Sequence, residues 1–292
     1  MARSIICTNE NNVSLTLTDA FSPWLLESCE GIYEVRNNVS TSENTMTSGS
    51  TYQGSTTSMR NIVLTLRDRP EADHLAARSM LYTLFKPGSP GVFTYIEDEI
   101  SRTIKYYVES VYVDAVKRSR RAQISLLCPD PFFEDLTDIS VQMSAWVPRW
   151  EFPHEFLASG EEMGYRSAER LKTIDNTSAA DGIGITITVD CTGPVVSPSI
   201  SLVETGEFIS VGTPTNPLEL RAGDRVIITT HTTNKHVYLV RDGVKTEINS
   251  YLTEDSVFLQ LMSRENTFGY SAASGEGYMT VTVSFRYRYL GV

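Results

Sequence analysis

Apolar and polar residues alternate along most of the sequence, which is the pattern of half-buried β-strands. Residues 62–66 and 122–128 place an apolar side chain at every second position. Residues 102–113 also read as a strand, with Ile104, Tyr106 and Val108 on one face and Tyr107, Val111 and Val113 on the other. The strands at 102–113 and 122–128 are predicted to form a long hairpin. Its connection is basic, because four of the five residues from 117 to 121 are Lys or Arg.

One helix is predicted over about residues 70–86. Pro70 suits a first helical turn, and acidic residues follow it near the amino end. Apolar side chains recur with helical spacing at Ala77, Met80, Leu81 and Leu84. The sequence Lys-Pro-Gly at 86–88 ends the pattern.

Two segments depart from strand patterning. Between Ser40 and Ser58, 12 of 19 residues are Ser or Thr, which favours a mobile loop or one ordered by a partner. Residues 129–172 mix prolines with aromatic residues, which indicates a packed connector containing a domain boundary. We therefore predict domains at 1–140 and 173–292, joined by a connector at 141–172.

The carboxy-terminal part reads as all β. Residues 183–189 and 281–289 alternate almost without exception, and shorter apolar runs between them are separated by turn sequences such as Ala-Gly-Asp at 222–224. Short strands at this spacing predict a β-sandwich. The fold class expected for the whole chain is mainly β, with one helix packed on the sheets of the first domain.

The net charge, the lack of long apolar runs and the positions of the cysteines reduce the number of possible functions. The 292 residues carry 25 Lys and Arg against 36 Asp and Glu, a formal net charge of −11, which argues against strong binding to a nucleic-acid backbone. No signal peptide is expected at the amino terminus, and no apolar run is long enough to span a bilayer, so membrane insertion is not expected. Four scattered cysteines without a C-x-x-C pair indicate reduced, mostly buried thiols.

Motifs for chemistry are missing from the sequence. It has no nucleophile elbow, P-loop or dinucleotide-binding glycine pattern. His231 and His236 are five residues apart, an odd spacing that would point them to opposite faces of one strand. We therefore expect no catalytic residues, no metal site and no cofactor. The basic connection at 117–121 is either a solvated hairpin end or a docking site for an acidic partner.

A family resemblance rests on an ordered series of short motifs. They are Phe-Ser-Pro-Trp-Leu-Leu-Glu at 21–27, Tyr-Gln-Gly-Ser at 52–55, Arg-Asn-Ile-Val-Leu at 60–64, Cys-Pro-Asp-Pro-Phe-Phe at 128–133, Pro-Ser-Ile-Ser-Leu at 198–202, Ala-Gly-Asp at 222–224 and Tyr-Leu-Gly-Val at 289–292. In this order they resemble the distal tail proteins of long-tailed, siphovirus-type bacteriophages. One departure is local. The family often has Gly-Asn-Asn before a late strand, where this chain has Ser-Arg-Glu-Asn-Thr at 263–267.

The resemblance implies a structural virion component at the tail tip, assembled in the bacterial host cytoplasm. The amino-terminal domain would form a homo-hexameric ring with a channel for DNA, and the carboxy-terminal domain would be a galectin-like sandwich. Implied partners are the tail tube protein, the tail hub or tail-associated lysin, and receptor-binding or baseplate proteins. We predict a ring or partner interface at Ser48, Gly49, Tyr52, Gly54, Arg60, Lys117, Arg118, Arg120 and Arg121.

Two other functions stay open from the residues alone. A carbohydrate-binding module would use exposed aromatic side chains of the sandwich, with Tyr238, Phe258, Phe268, Tyr270 and Tyr278 as candidates. A glycan hydrolase would need a pair of carboxylates across a cleft, whose separation the sequence does not give. Our leading hypothesis is a structural protein that is not an enzyme.

Overall fold

Antiparallel strands dominate the computed structural model, which describes residues 3–19, 21–43, 48–69, 72–114, 120–143, 146–148, 164–166, 170–178 and 180–292. The chain forms two units. The first is Met1–Leu136 with Arg288–Val292, and the second is Thr137–Tyr287. The mainly β fold class predicted from the alternation is confirmed.

The first unit contains one helix and eleven strands among its described residues. With strands numbered along the whole chain, they are β1 (Arg3–Asn9), β2 (Ser14–Thr16), β3 (Trp24–Glu30), β4 (Asn37–Glu43), β5 (Ser50–Thr57), β6 (Arg60–Asp68), α1 (His74–Leu84), β7 (Pro90–Glu97), β8 (Ile100–Asp114), β9 (Arg121–Cys128), β10 (Phe133–Asp135) and β26 (Arg288–Tyr289). The main sheet has the order β2-β1-β7-β8-β9-β6-β3, and β10 pairs with both β8 and β26.

The predicted long hairpin is β8 with β9, but one face of β8 differs from the prediction. A β-bulge between Val108 and Ser110 inserts one extra residue, which reverses the facing of every later side chain. Val111 and Val113 therefore pack against the core, on the same side as Ile104 and unlike the prediction that placed them opposite. Strict period-two reading fails wherever a strand contains a bulge.

Helix α1 begins at His74, later than the predicted start near residue 70. Asp73 is its N-cap, and its carboxylate accepts hydrogen bonds from the backbone N–H groups of residues 75 and 76. Ala77, Leu81 and Leu84 are buried, as the helical spacing predicts. The helix is anchored to β3 by Trp24, whose indole N–H donates to the carbonyl of Ala77 at 3.1 Å. Pro70 and Glu71 lie outside the described residues.

The last residues of the chain complete the first unit. Strand β26 pairs with β10, joining Tyr289 to Phe133 and Arg288 to Glu134. The guanidinium of Arg102 lies over the Tyr289 ring at 3.8 Å. The alternating run 281–289 is therefore not one strand. Its first part belongs to the second unit and its end to the first.

The second unit consists of short strands and two 3₁₀ turns within its described residues. They are β11 (Ile139–Gln142), β12 (Trp146–Pro148), β13 (Gly164–Arg166), β14 (Leu171–Asn176), β15 (Ile183–Gly184), β16 (Thr186–Cys191), β17 (Val195–Leu202), β18 (Phe208–Ser210), β19 (Glu219–Leu220), β20 (Arg225–His231), β21 (Asn234–Arg241), β22 (Val244–Glu247), β23 (Gln260–Leu261), β24 (Arg264–Ser274) and β25 (Met279–Phe285), with turns at Asn249–Tyr251 and Glu276–Tyr278.

Two larger sheets organise the second unit. One has the order β11-β25-β16-β20-β21-β22, and the other is β14-β24-β17-β18 with β19 also paired to β17. Strands β16 and β25 bury every second residue. One buried face per sheet is typical of a β-sandwich. Two small pairs, β12 with β13 and β15 with β23, complete the described strands.

The limits of the two units differ from the predicted domains. Strand β11 begins at Ile139, before residue 141, and pairs with β25 inside the second unit, whereas β26 lies after residue 173 and belongs to the first. Most of the predicted connector 141–172 falls outside the described residues, including 149–163. That connector stays a prediction.

Candidate functional site: assembly surfaces of the first unit

A two-stranded ribbon replaces the loop predicted over residues 40–58. Strands β4 and β5 pair only with each other among the described strands. β-branched Val and Thr residues favour this extended conformation in a segment without apolar alternation. Its large side chains are exposed, with 57% of Val39 and 63% of Tyr52 accessible. Because an isolated hairpin is marginally stable in water, this ribbon is a surface that a partner can cover.

Four predicted interface residues lie on or beside the ribbon. Ser48 and Gly49 precede β5, and Tyr52 and Gly54 lie within it. The Tyr52 hydroxyl donates a hydrogen bond to Ser55 at 2.9 Å. Gly54 has φ of 147° and no atom near the position of a Cβ, so it leaves open space on the ribbon. Their interface role stays a prediction.

Arg60 lies inside the subunit, which corrects its prediction as a surface interface residue. Only 5% of it is exposed. Its guanidinium donates to five backbone carbonyls, those of Gly31 (2.6 Å), Ile32 (3.2 Å), Glu34 (2.8 Å), Pro131 (2.9 Å) and Leu290. It also lies over the Phe133 ring at 5.0 Å. Burial lowers the pKa of the guanidinium. Arg60 thus ties the last residues of the chain to the first unit, a role for which the sequence gives no periodic signal.

The basic end of the β8–β9 hairpin is partly described. Lys117 and Arg118 lie outside the described residues. Arg121 forms an ion pair with Glu27, with Nε and Oε2 2.8 Å apart. The side chain of Arg120 has no hydrogen bond or ion pair within the described part of the chain.

A cleft of about 480 Å³ lies beside Arg120, and sequence reasoning missed it. Its lining includes the apolar side chains of Trp24, Leu75 and Val113, together with the guanidinium-bearing Arg78 and Arg120. Arg78, like Arg120, is half-buried and has no ion-pair partner among the residues that the structure describes. Arg78 lies on α1 beside the apolar stripe, where helical spacing alone does not distinguish it from a solvated residue.

The acidic groups in the same cleft contact other neighbours than the two arginines. The Asp68 carboxylate lies 2.7 Å from Nδ1 of His74. Asp73 caps α1 through backbone N–H groups. Neither carboxylate forms an ion pair with Arg78 or Arg120 among the described residues.

Cys7, Cys128 and Cys191 are buried and Cys29 is half-buried, and none forms a disulfide in the described chain. Burial raises the pKa of Cys29 and Cys128 to about 12 and that of Cys191 to about 11, and it also raises the pKa of Cys7. These thiols are protonated at neutral pH and therefore weak nucleophiles. Among the described residues, no group of three or more His, Cys, Asp and Glu side chains is arranged to hold a metal ion. No described helix has the length and apolar character needed to cross a membrane.

The aromatic candidates for glycan binding do not form a common exposed surface in the second unit. Phe268 is fully buried and Tyr270 is 8% exposed. Tyr238 and Phe258 are half-buried, and lysine ammonium groups lie over their rings at 3.8 and 5.8 Å. Tyr278 is 49% exposed.

Comparison with solved structures identifies the class of fold. Chains of phage tail-tip assemblies match this chain over nearly its whole length. The Dit protein of phage SPP1, described as a paradigm of the hub adsorption apparatus in phages that infect Gram-positive bacteria, aligns with a TM-score of 0.69 and 12% identity, covering 97% of this chain and 98% of that one.

Two baseplate structures give the same result. A chain of the phage P2 baseplate in its activated conformation with calcium aligns with a TM-score of 0.57 and 8% identity, and the strontium form gives 0.56 and 7%, each covering 100% of both chains. No protein-family model and no curated protein matches the sequence. The chain therefore has the fold of phage distal tail and baseplate proteins, as the motif resemblance predicted.

Proposed function

We propose that this chain is a distal tail protein, a structural subunit that forms a hexameric ring at the tip of a long phage tail. One observation carries the proposal: the likeness to SPP1 Dit extends over 97% of this chain and 98% of the other, through both units. A shared fold alone does not define function. Here, however, the motif order in the sequence independently favours the same family.

In this role the first unit builds the ring and the second serves as a docking platform for receptor-binding components. The ring joins the tail tube to the tail hub, and DNA passes through its channel without being retained. The net charge of −11 supports passage, because a protein with a net negative charge repels phosphates. Neither unit acts as an enzyme.

The ribbon of β4 and β5 is a contact between ring subunits in this proposal. A ring requires two different complementary surfaces on each subunit, and an exposed ribbon supplies one of them. Its exposed Val39 and Tyr52 are the side chains that a neighbour would bury.

Negative-stain imaging of the purified full-length chain tests the ring directly. We expect annular particles with six-fold symmetry and a central hole. Monodisperse single subunits at high protein concentration would contradict the proposal.

Substitutions on the ribbon test its contribution. Val39→Lys combined with Tyr52→Lys should abolish rings while leaving the circular dichroism spectrum of the subunit unchanged, because both side chains are exposed in it. Val244→Lys is the matched control, since Val244 is 64% exposed on β22 of the second unit. Rings formed equally by both variants would remove the ribbon from the interface. Hydrogen exchange over residues 37–57 should also slow on assembly, and equal protection in subunit and ring would count against the contact.

A further inference from the structure

An acidic turn and a cleft that contains two arginines lie at opposite ends of strand β8. The strand spans Ile100–Asp114, 15 residues, which corresponds to about 45 Å of extended chain. At its start lies the acidic turn, residues 97–99, which links β7 to β8. At its other end lies the cleft lined by Val113 and Arg120.

The acidic turn presents two uncompensated carboxylates. Glu97 is held by Arg3, with Oε1 and Nη2 3.1 Å apart. Asp98 and Glu99 are exposed, and within the described residues neither has an ion-pair partner. Asp98 has φ of 52°, so the turn is tight and projects both side chains from the end of the sheet.

The cleft presents two basic side chains that lack an acidic partner among the described residues. Arg78 and Arg120 are half-buried guanidinium groups without ion-pair partners in the described part of the chain, whereas Asp68 lies beside His74 and Asp73 accepts hydrogen bonds from helix N–H groups. A guanidinium that is partly removed from water gains most from a carboxylate ligand. The apolar side chains of the cleft further reduce its contact with water.

We infer that the acidic turn Glu97–Glu99 of one subunit docks in the Arg78–Arg120 cleft of the neighbouring copy in the same ring. This inference rests on the proposed hexameric ring and specifies one of its contacts. Two complementary surfaces at opposite ends of one strand produce head-to-tail association, which closes into a ring when the rotation between copies allows it. The occupant is a second copy, because Arg78 and Arg120 have no ion-pair partner among the described residues and the chain itself presents a turn with two carboxylates that also have none there.

Charge reversal tests the contact, with ring assembly measured by light scattering as a function of protein concentration. Arg78→Glu with Arg120→Glu should raise the midpoint concentration for assembly by about tenfold or more, because like charges then face each other. Asp98→Lys with Glu99→Lys should do the same. Combining all four substitutions should restore assembly toward that of the unsubstituted chain.

Matched controls separate local contact from net charge. Glu254→Lys with Asp255→Lys reverses two adjacent exposed acidic residues of the second unit, and Arg264→Glu reverses an exposed cation there. Both should leave the midpoint unchanged. Where charge reversal at the cleft impairs folding, Arg78→Gln with Arg120→Gln tests the same contact with neutral side chains.

The possible results distinguish this contact from the ring itself. If the unsubstituted chain forms no ring, the proposed function fails. If it forms rings but either reversal leaves the midpoint unchanged, or the combined variant does not recover, the contact is wrong and the ring stands. Loss of stacking between intact hexamers would also overturn the assignment, because the cleft would then bind a copy in another ring.

Discussion

Replacement of Arg60 should destabilise the first unit strongly. Hydrogen bonds to charged groups contribute about 1.5–3 kcal/mol each, and Arg60 donates five. Burial of the cation offsets much of this gain. Arg60→Met removes the cation but leaves five carbonyls without their donor, so we expect a loss of about 3–5 kcal/mol in the free energy of unfolding. That is a large share of the roughly 5–15 kcal/mol that typically holds a domain together.

Urea unfolding monitored by tryptophan fluorescence measures this loss in the first unit. The sequence has three tryptophans, and Trp146→Phe with Trp150→Phe leaves buried Trp24 as the reporter in that unit. Equilibrium unfolding then gives the midpoint and slope for each variant. Arg60→Lys should fall between the unsubstituted chain and Arg60→Met, because an ammonium group has three donors for five carbonyls.

Arg36→Met is the matched control for Arg60→Met. Arg36 is highly exposed and, among the described residues, forms an ion pair only with the carboxylate of Glu34 at 2.7 Å, so its loss should cost below about 1 kcal/mol. Equal, small effects of Arg60→Met and Arg36→Met would refute the assignment of Arg60 as the buried clamp on the chain end.

Three further predictions concern the second unit. A hydrogen bond from Arg241 lowers the pKa of Asp224 below its value in the unfolded chain. The ionised Asp224 therefore stabilises the fold at neutral pH, and this stabilisation is lost as pH falls from about 4 through the folded pKa. Asp224→Asn should flatten that part of the acid unfolding curve. Arg264→Gly should raise the free energy of unfolding by about 0.5–1 kcal/mol. The exposed Arg264 has φ of 79°, a backbone strain of roughly 1–2 kcal/mol, whereas glycine costs about 0.5–1 kcal/mol in backbone entropy. An unchanged midpoint of thermal unfolding would contradict this prediction. Gly275→Ala should lower the unfolding midpoint sharply, since its Cβ would lie 2.0 Å from the carbonyl oxygen of Pro194, and a neutral effect would show that the turn can shift.

The sequence predicted what period-two alternation controls. The buried faces of β9 and β16 follow every second residue, and the helix stripe follows the spacing of Leu81 and Leu84. Both depend on local geometry, which the residue pattern records directly. The motif order added the fold of the whole chain.

Features that depend on distant contacts could not be read in this way. The bulge after Val108 turns Val111 to the opposite face of β8. Its position depends on the pairing with β9, which the sequence of β8 does not reveal. The two strands of the ribbon are joined by backbone hydrogen bonds, which leave no apolar alternation in the sequence. The Ser and Thr residues of this segment therefore indicated a loop. The chain passes from the second unit to the first after Tyr287, but the apolar alternation of residues 281–289 continues across this point and does not reveal it.

The candidate site shows the same division. Exposure of Tyr52 and the basic character of the hairpin end follow from composition, whereas the burial of Arg60 depends on carbonyls from three separate parts of the chain. The cleft beside Arg120 joins a helix, a strand end and a loop that are distant in sequence. Residue type alone does not determine whether an arginine lies inside or outside such a site.

The mass of the purified chain in solution tests the central claim that this protein functions by assembling with copies of itself. Light scattering over a range of concentrations should give a species of about six times the 32.6 kDa subunit. A mass that stays at one subunit at every concentration would contradict the account.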